Sequence, residues 1–221
     1  MLLYRVISII IGYFCGIFLS GFFYGKKNNV DITKQGSGNV GTTNTLRILG
    51  VKAGVITLLC DCLKAVFAGL IAYFLFRNHV ETHSQQYLLI LYGAVGAVLG
   101  HDFPFYMHFK GGKGIACSFG MILIAFPKAL PLLILIFVVT VCITRYVSLG
   151  SILCALGFMI EVYVFAYFGW LPYEGRDLIE AEIVATLAAV LAIWLHRSNI
   201  DRLIHHKENK FSLHSSKKGE K

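Results

Sequence analysis

The sequence has few charged residues: Asp, Glu, Lys and Arg together make up only 14% of its 221 positions. A soluble domain of this length would need more charge to cover its surface. Instead, 57% of the residues are hydrophobic, and they come in blocks close to the length that crosses a bilayer. The scarcity of charge therefore excludes an ordinary soluble domain and indicates a polytopic membrane protein.

Paired cysteine motifs, internal repeats and a nucleotide-binding motif are also absent from the sequence. The six cysteines lie in apolar segments without zinc or redox spacing, so we expect no disulfide framework and no metal site. His79 and His83 have metal-ligand spacing, but they lie in a loop where only Glu81 could assist them. Gly114 follows Lys113 where a Walker A motif needs Ser or Thr, so no nucleotide cofactor is expected.

Seven apolar segments are predicted to cross the membrane as helices, which gives an all-α fold. They cover roughly residues 3–24, 52–76, 87–107, 114–127, 129–146, 148–168 and 179–196. The fourth and fifth meet at the turn Phe126-Pro127-Lys128, and a single kinked, partly re-entrant segment is the alternative. The first lacks the small-residue cleavage site of a signal peptide and is expected to be retained.

The formal net charge of +8 reflects membrane orientation rather than nucleic-acid binding, because the basic residues lie at the ends of the apolar blocks. With the N-terminus outside, the outer loops hold only Arg77, Lys128 and Arg176 as basic residues, and every inner segment is basic. The bias predicts an outer N-terminus and a cytoplasmic C-terminus. Residues 1–211 should form one membrane-embedded domain, and 212–221 a basic, disordered cytoplasmic tail.

The stretch 36–44 has almost no apolar side chain, although it lies between two apolar segments. Its glycines allow backbone N–H groups to face inward. Its short hydrogen-bonding side chains are those of Ser37, Asn39, Thr42, Thr43 and Asn44. A helix is expected to begin near Arg47, and helix N-termini favour phosphate. A flexible connector is the alternative, but this order of polar residues between glycines favours an oxyanion site.

A second loop, Lys110-Gly111-Gly112-Lys113-Gly114, combines the same backbone freedom with two lysines. A positive-inside anchor is the alternative interpretation, but two lysines would serve that purpose without three glycines. The loop therefore favours phosphate binding. Two anion-binding loops beside a membrane suggest chemistry on phosphorylated small molecules at the bilayer surface.

Three acidic positions in the apolar segments need partners or a function. Asp61 and Lys64 lie three residues apart on one helix face. They could pair with each other or take part in the site, and the sequence does not favour either alternative. Glu161 has no obvious partner. His101 and Asp102 are adjacent and cannot face each other on a helix, so a capping or hydrogen-bonding role is expected rather than a catalytic pair.

Four ordered blocks begin at Ser37, Gly100, Arg145 and His196. The first block reads SGNVGTTN followed by LRILG, and the second combines GH, FP and FKGGKG. The third block reads RYVSL, and the fourth combines HR, NI and ENK. These blocks resemble the bacterial membrane glycerol-3-phosphate acyltransferases that use acyl phosphate as donor. With the matching hydropathy, the similarity covers most of the chain up to about Phe211.

The resemblance implies transfer of an acyl chain from acyl phosphate to the 1-hydroxyl of sn-glycerol 3-phosphate, giving lysophosphatidic acid and inorganic phosphate. This is the first acylation of phospholipid synthesis, and it belongs to the cytoplasmic face of the bacterial inner membrane. The expected partners are the two substrates and membrane lipid, without nucleic acid, cofactor, metal or an obligatory protein partner. Positioning and charge stabilisation could supply most of the rate.

The site residues are predicted from the resemblance together with the chemistry of the two loops. Catalytic roles are predicted for Ser37, His196 and Asn199. Substrate-binding roles are predicted for Arg47, Lys110, Asn39, Thr43, Asn44, Gly111, Gly112, Lys113, Gly114, Arg145 and Ser148. The base is either His196 or a phosphate oxygen of a substrate.

The sequence departs from the family pattern in three places. Residues 20–25 replace a turn that usually resembles Gly-Ser-Ile-Pro, Ser198 replaces a common Glu, and Asp201 replaces a common Lys. His196 and Asp201 match a pattern of another acyltransferase superfamily, but its companion motifs are missing, so Asp201 is assigned no catalytic role. A transporter of phosphorylated metabolites, the rival class, should show repeats and broken helices near the midplane, and a structural subunit would need neither loop.

Overall fold

The computed structural model describes residues 1–211, and every regular element in that part of the chain is a helix. The predicted tail, 212–221, lies outside the described residues. The ten α-helices are α1 (Leu2–Gly16), α2 (Ser20–Lys27), α3 (Thr42–Leu49), α4 (Val51–Phe76), α5 (His83–Asp102), α6 (Ile115–Ala125), α7 (Leu130–Thr144), α8 (Val147–Tyr167), α9 (Gly175–Leu195) and α10 (Arg197–Ile204). Short 3-10 turns lie at Ile32–Lys34, Arg77–His79, Phe105–Met107 and Pro127–Ala129.

Six helical segments in the described part are long and apolar enough to cross a membrane, as expected of a multi-pass integral membrane protein. They are Leu2–Lys27, Val51–His79, His83–Met107, Pro127–Thr144, Val147–Tyr167 and Gly175–Leu195. The predicted fourth span corresponds to α6, which has only 11 residues. At 1.5 Å per residue α6 is roughly 16 Å long, about half of a hydrocarbon core of about 30 Å.

Helices α6 and α7 form a hairpin rather than one kinked segment. Gly114, at the start of α6, and Val141, near the end of α7, line the same cavity. The chain reverses between them at the 3-10 turn that contains Pro127, because proline cannot continue the hydrogen-bond ladder of α6.

The first predicted helix is broken in the structure. Helix α1 ends at Gly16 and α2 begins at Ser20, because Leu19 has an extended backbone (φ −87°, ψ 95°). The break leaves the carbonyl of Phe18 free to accept a hydrogen bond from Lys64 at 2.8 Å. A second boundary also differs, since α3 begins at Thr42 rather than near Arg47.

Helix α5 is the centre of the bundle and packs against α1, α4, α6 and α9. Its contact with α1 depends on small residues: a Cβ at Gly12 would overlap the carbonyl of Gly93, and one at Gly96 would overlap the carbonyl of Ile9. Such close approach is typical of helices that pack inside membranes, where dispersion rather than the hydrophobic effect holds them together.

The helices alternate in direction, so the polar connections collect at two ends of the bundle. One end contains residues 27–51, 102–115, 144–147 and 195–211, and many of these residues line a cavity that opens there. At the opposite end Arg5 forms an ion pair with Glu180, and Tyr4 packs on Phe76. The four connections that share the cavity end are the four segments that the charge bias assigns to the inner side.

Candidate active site

A cavity of about 810 Å³ runs from the polar end of the bundle down between α6, α7, α8 and α9. Its upper walls contain side chains or backbone from the segments 37–47, 113–116, 147–148 and 196–211 and from Gly111. Its lower walls are apolar and include Met121, Leu133, Phe137 and Ala189. The cavity therefore joins a polar mouth to a long apolar arm inside the bundle.

Four helices begin at this mouth. The first turns of α3, α6, α8 and α10 contribute Thr42, Ile115, Val147 and Ser198 to the cavity wall. The first N–H groups of a helix have no partner within the helix, and the helix dipole places partial positive charge there. Four such ends around one space make a strong binding environment for phosphate groups.

Asn44 holds the first Gly-rich loop in shape. Its buried amide nitrogen donates to the carbonyls of Ile32, Gln35 and Asn39 at 3.2, 3.1 and 2.8 Å. Its amide oxygen accepts from the backbone N–H of Ser37 at 2.9 Å. The side-chain donors of Asn44 are thus occupied by the loop itself, although the residue was predicted to bind substrate.

Other residues of the first loop face the cavity. Asn39 accepts from the N–H of Gly41 at 2.7 Å, and Thr43 lies in the first turn of α3 at the cavity wall. Arg47, on the same helix, also lines the cavity and is half-buried. Burial lowers the pKa of Arg47, while the neighbouring Glu208 carboxylate acts in the opposite direction. A guanidinium with such a high starting pKa keeps its charge and can bind an oxyanion through two N–H groups.

The second Gly-rich loop rests on the end of α5. The N–H groups of Gly111 and Gly112 donate to the carbonyls of Asp102 and His101, both at 3.0 Å. Lys113 reaches into the cavity and donates to the Oδ1 atom of Asn199. Burial, together with the positive charge of Arg202, lowers the pKa of Lys113 to about 8.

Asn199 connects the second loop to the last described segment. Its Nδ2 group donates to Glu208 at 2.9 Å, and the other carboxylate oxygen of Glu208 accepts from Arg202 at 2.8 Å. The backbone N–H of Phe211 donates to the carbonyl of Arg145 at 2.7 Å. Residues 208–211, which we call the C-terminal strap, thereby close one side of the cavity mouth.

His196 is buried at the junction of α9 and α10. Its Nδ1 atom lies 2.7 Å from the carbonyl of Ala192 and must be the donor, so the neutral ring presents an unprotonated Nε2. Burial lowers the pKa of His196 to about 4, which keeps the ring neutral near pH 7. Asp201 does not orient it: its carboxylate is exposed and lies 3.3 Å from His205.

Most of the predicted site residues share this cavity. Its walls contain Ser37, Asn39, Thr43, Asn44, Arg47, Gly111, Lys113, Gly114, Ser148, His196 and Asn199. Lys110 and Arg145 are exposed, and Gly112 is buried behind the loop, so these three do not contribute to the wall.

The wall also contains two carboxylates, an arginine and a histidine that were not predicted as site residues: Asp61, Glu208, Arg202 and His101. Three of them gave a signal in the sequence. Asp61 is a carboxylate inside an apolar segment, and Glu208 belongs to the fourth block of the family resemblance. His101 belongs to the second block, and a capping or hydrogen-bonding role was expected for it. Arg202 gave no signal, because its role depends on neighbours brought close by the tertiary fold.

The apolar arm ends at Phe158. This side chain of α8 lines the cavity and packs edge-on against Phe126 with ring centroids 5.2 Å apart. Phe126 in turn contacts Tyr173, whose hydroxyl donates to the carbonyl of Ala125 at 3.2 Å. Three aromatic rings thus close the arm toward the far end of the bundle.

Comparison with known proteins gives a consistent result. Residues 6–206 match the family model described as glycerol-3-phosphate acyltransferase. Curated glycerol-3-phosphate acyltransferases from Shouchella clausii and Finegoldia magna are 36% and 38% identical over 213 residues each. The alignments cover 95% and 94% of this chain and 97% and 96% of the relatives.

Two solved structures have the same fold. Both are crystal structures of PlsY (YgiH), an integral membrane glycerol 3-phosphate acyltransferase, in a glycerol 3-phosphate form and a lysophosphatidic acid form. Their TM-scores are 0.80 and 0.78 at 31% sequence identity. The similarity covers 94% and 95% of this chain and 96% of each of theirs.

Proposed function

This chain belongs to the glycerol-3-phosphate acyltransferase family, and from that premise we propose that its acyl donor is acyl phosphate. In the proposed reaction the 1-hydroxyl of sn-glycerol 3-phosphate attacks the acyl carbonyl carbon. The bond from that carbon to the phosphate oxygen breaks, and lysophosphatidic acid and inorganic phosphate are formed. This would be the first acylation of phospholipid synthesis.

The observation that carries the proposal is the shape and polarity of the cavity. Acyl phosphate has a compact anionic head and a long apolar tail. The mouth offers helix N-termini, Arg47 and Lys113 to the head, and the arm between α6 and α9 offers an apolar path to the tail. A nucleotide-carrying donor such as acyl-CoA would need further binding surface, and the described residues form one helical bundle without a separate nucleotide-binding domain.

Each substrate is assigned to one side of the mouth. We assign the donor phosphate to the Gly111–Gly114 loop, Lys113 and Thr43, because this loop leads directly into α6, which lines the apolar arm. We assign glycerol 3-phosphate to Arg47, Ser37 and Asn199. Asn44 supports this arrangement by holding the first loop, and exposed Lys110 and Arg145 would attract both anions toward the mouth.

We assign to His196 the role of orienting the hydroxyl of glycerol 3-phosphate that attacks the donor. Its unprotonated Nε2 can accept a hydrogen bond from that hydroxyl and orient it. A base with a pKa of about 4 holds a proton weakly at neutral pH. We therefore assign the final acceptance of the proton to an oxygen of the departing phosphate, with His196 as the orienting group.

The charge bias of the loops supports an orientation with this cavity at the cytoplasmic face of the bacterial inner membrane. Both substrates are then within reach, since the donor lies in the lipid and glycerol 3-phosphate is dissolved in the cytoplasm. No protein partner is required by this arrangement.

The decisive experiment uses the purified full-length protein in detergent. Acyl phosphate and glycerol 3-phosphate are supplied together, phosphate release is followed, and lysophosphatidic acid is identified by mass spectrometry. Omission of glycerol 3-phosphate corrects for donor hydrolysis. We expect product only with acyl phosphate, and efficient turnover with acyl-CoA alone would refute the proposed donor.

A further inference from the structure

A cluster of buried polar side chains lies beneath the second Gly-rich loop. The ammonium of Lys64 donates to Asp61 Oδ1 at 2.9 Å and to the carbonyl of Phe18 at 2.8 Å, and it lies 2.9 Å from His101 Nδ1. Asp61 Oδ1 also accepts from the hydroxyl of Ser20 at 3.0 Å. All three hydrogens of the ammonium are therefore directed at three acceptors on three different segments.

This arrangement fixes the tautomer of His101. An ammonium can only donate, so Nδ1 of His101 must accept and Nε2 must carry the hydrogen. The contact from Nδ1 to Asp61 is 3.6 Å, which is too long to compete with the bond from Lys64. The orientation of the imidazole is thus set from its Nδ1 side.

The opposite edge of the imidazole lies against Gly112. A Cβ built on Gly112 would collide with Nε2 of His101, so the ring fills the space that a side chain at 112 would occupy. The carbonyl of His101 also accepts from the N–H of Gly112 at 3.0 Å. His101 therefore supports the loop through both its ring and its backbone.

A purely structural role does not explain why this cluster is charged. Moving a lysine and a carboxylate out of water costs more free energy than packing apolar residues of the same size. A metal site is also unsuitable. Asp61, His101 and Cys117 bring potential ligand atoms within 4.8 Å of one another, but the Lys64 ammonium already lies against two of the three and would repel a cation.

We propose that Lys64, acting through His101, is a positioning residue that holds the Gly111–Gly114 loop in the geometry that captures the donor phosphate. The inference rests on the proposed function, because it states which of the two substrates the cluster serves. Neither residue needs to touch the reacting atoms. Loss of the contact should therefore weaken donor binding while acceptor binding persists.

The first test distinguishes the contact that His101 makes with Lys64 from the contact that it makes with Gly112. In His101→Asn the side-chain amide reaches the Nδ1 position and preserves an acceptor for Lys64, but it leaves the space beside Gly112 empty. In His101→Gln the amide reaches the Nε2 position and refills the space beside Gly112, but it offers Lys64 no acceptor at the Nδ1 position. We expect the Asn variant to raise KM for acyl phosphate about tenfold, because the packing that supports Gly112 is lost, with KM for glycerol 3-phosphate unchanged. The Gln variant should recover only part of the loss, because Lys64 no longer fixes the orientation of the side chain, and recovery to the wild-type KM would refute the role of Lys64.

The second test removes the ammonium and includes a matched control. Lys64→Met should produce the same selective rise in KM for acyl phosphate. Arg5→Met removes a cation from the ion pair with Glu180 at the opposite end of the bundle. It should lower the melting temperature without changing KM for the donor. If Lys64→Met does not fold, the comparison of the two His101 variants decides.

The possible failures are distinguishable. A wild-type protein that is inactive with acyl phosphate refutes the proposed function itself. A wild-type protein that is active, with variants whose donor KM stays at the wild-type value or rises together with the acceptor KM, refutes the positioning role only. A loss confined to kcat and protein yield would show that the cluster merely stabilises the fold.

Discussion

Raising the pH above 8 should weaken capture of the donor, because it removes the charge of Lys113. Burial lowers the pKa of this side chain to about 8, and repulsion from Arg202 adds to the effect while Glu208 opposes it. A lysine is charged below its pKa and neutral above it. Lys113 should therefore lose its charge between pH 8 and 9, where an ordinary lysine would still be fully charged.

The size of the effect follows from the titration. With a pKa of about 8, roughly half of the free enzyme is charged at pH 8 and roughly one-eleventh at pH 9. If only the charged form binds donor, kcat/KM for acyl phosphate should fall about fivefold from pH 8 to pH 9 and approach about tenfold per pH unit above pH 9. A bound phosphate favours the charged lysine, so the fall in kcat should begin at higher pH than the fall in kcat/KM.

The assay is phosphate release at donor concentrations well below KM, measured from pH 6 to 10 with blanks for alkaline hydrolysis of the donor. Lys113→Arg should abolish the alkaline fall, because a guanidinium keeps its charge throughout this range. Lys110→Arg is the matched control in the same loop, at an exposed position, and should leave the profile unchanged. A flat wild-type profile to pH 9.5, or a fall that survives in Lys113→Arg, would refute the reasoning.

Three further substitutions test the rest of the site. Arg47→Ala should raise KM for glycerol 3-phosphate at least tenfold, since a charged bidentate contact is lost; an unchanged KM in a folded variant would remove Arg47 from the acceptor site. His196→Ala should lose most activity whereas Asp201→Asn stays active, because the Asp201 carboxylate lies beside His205; equally severe losses in both would favour a base oriented by Asp201. Phe158→Ala should extend the apolar arm and shift the donor preference in a chain-length series toward longer chains, and an unaltered series would place the end of the arm elsewhere.

Hydropathy predicts most helices of the bundle, because the bilayer imposes a length on each spanning segment. The fourth predicted span is the exception, since α6 has only 11 residues. The predicted division near Pro127 is present as the turn between α6 and α7. The interruption at Leu19 was not predicted, because nothing in the local apolar pattern reveals that Lys64 takes the Phe18 carbonyl. Such a contact depends on which helices become neighbours, and periodicity does not specify neighbours.

In the site, too, features set by the local sequence could be predicted, whereas contacts between helices could not. The two Gly-rich loops line one cavity, as expected from a topology that places both at the same end of the bundle. Their binding of phosphate stays a prediction. The pairing of Asp61 with Lys64 was one of two alternatives and is present at 2.9 Å. The hydrogen-bonding role expected for His101 is present as its contact with Lys64 at 2.9 Å. Its partner could not be predicted, since Lys64 lies on another helix and periodicity does not specify neighbours.

The C-terminal strap has a consequence for the biogenesis of the protein. The residues that line the cavity extend from Ser37 to Phe211, so its wall is built from most of the described chain. A membrane protein is inserted from its N-terminus as it leaves the ribosome, and its early helices can pack before the later ones exist. Asn199 and Arg202 acquire their shared partner only when Glu208 has emerged. Nascent chains that stall within α9 would therefore be inserted and largely packed but unable to bind substrate, which confines anion capture to finished molecules.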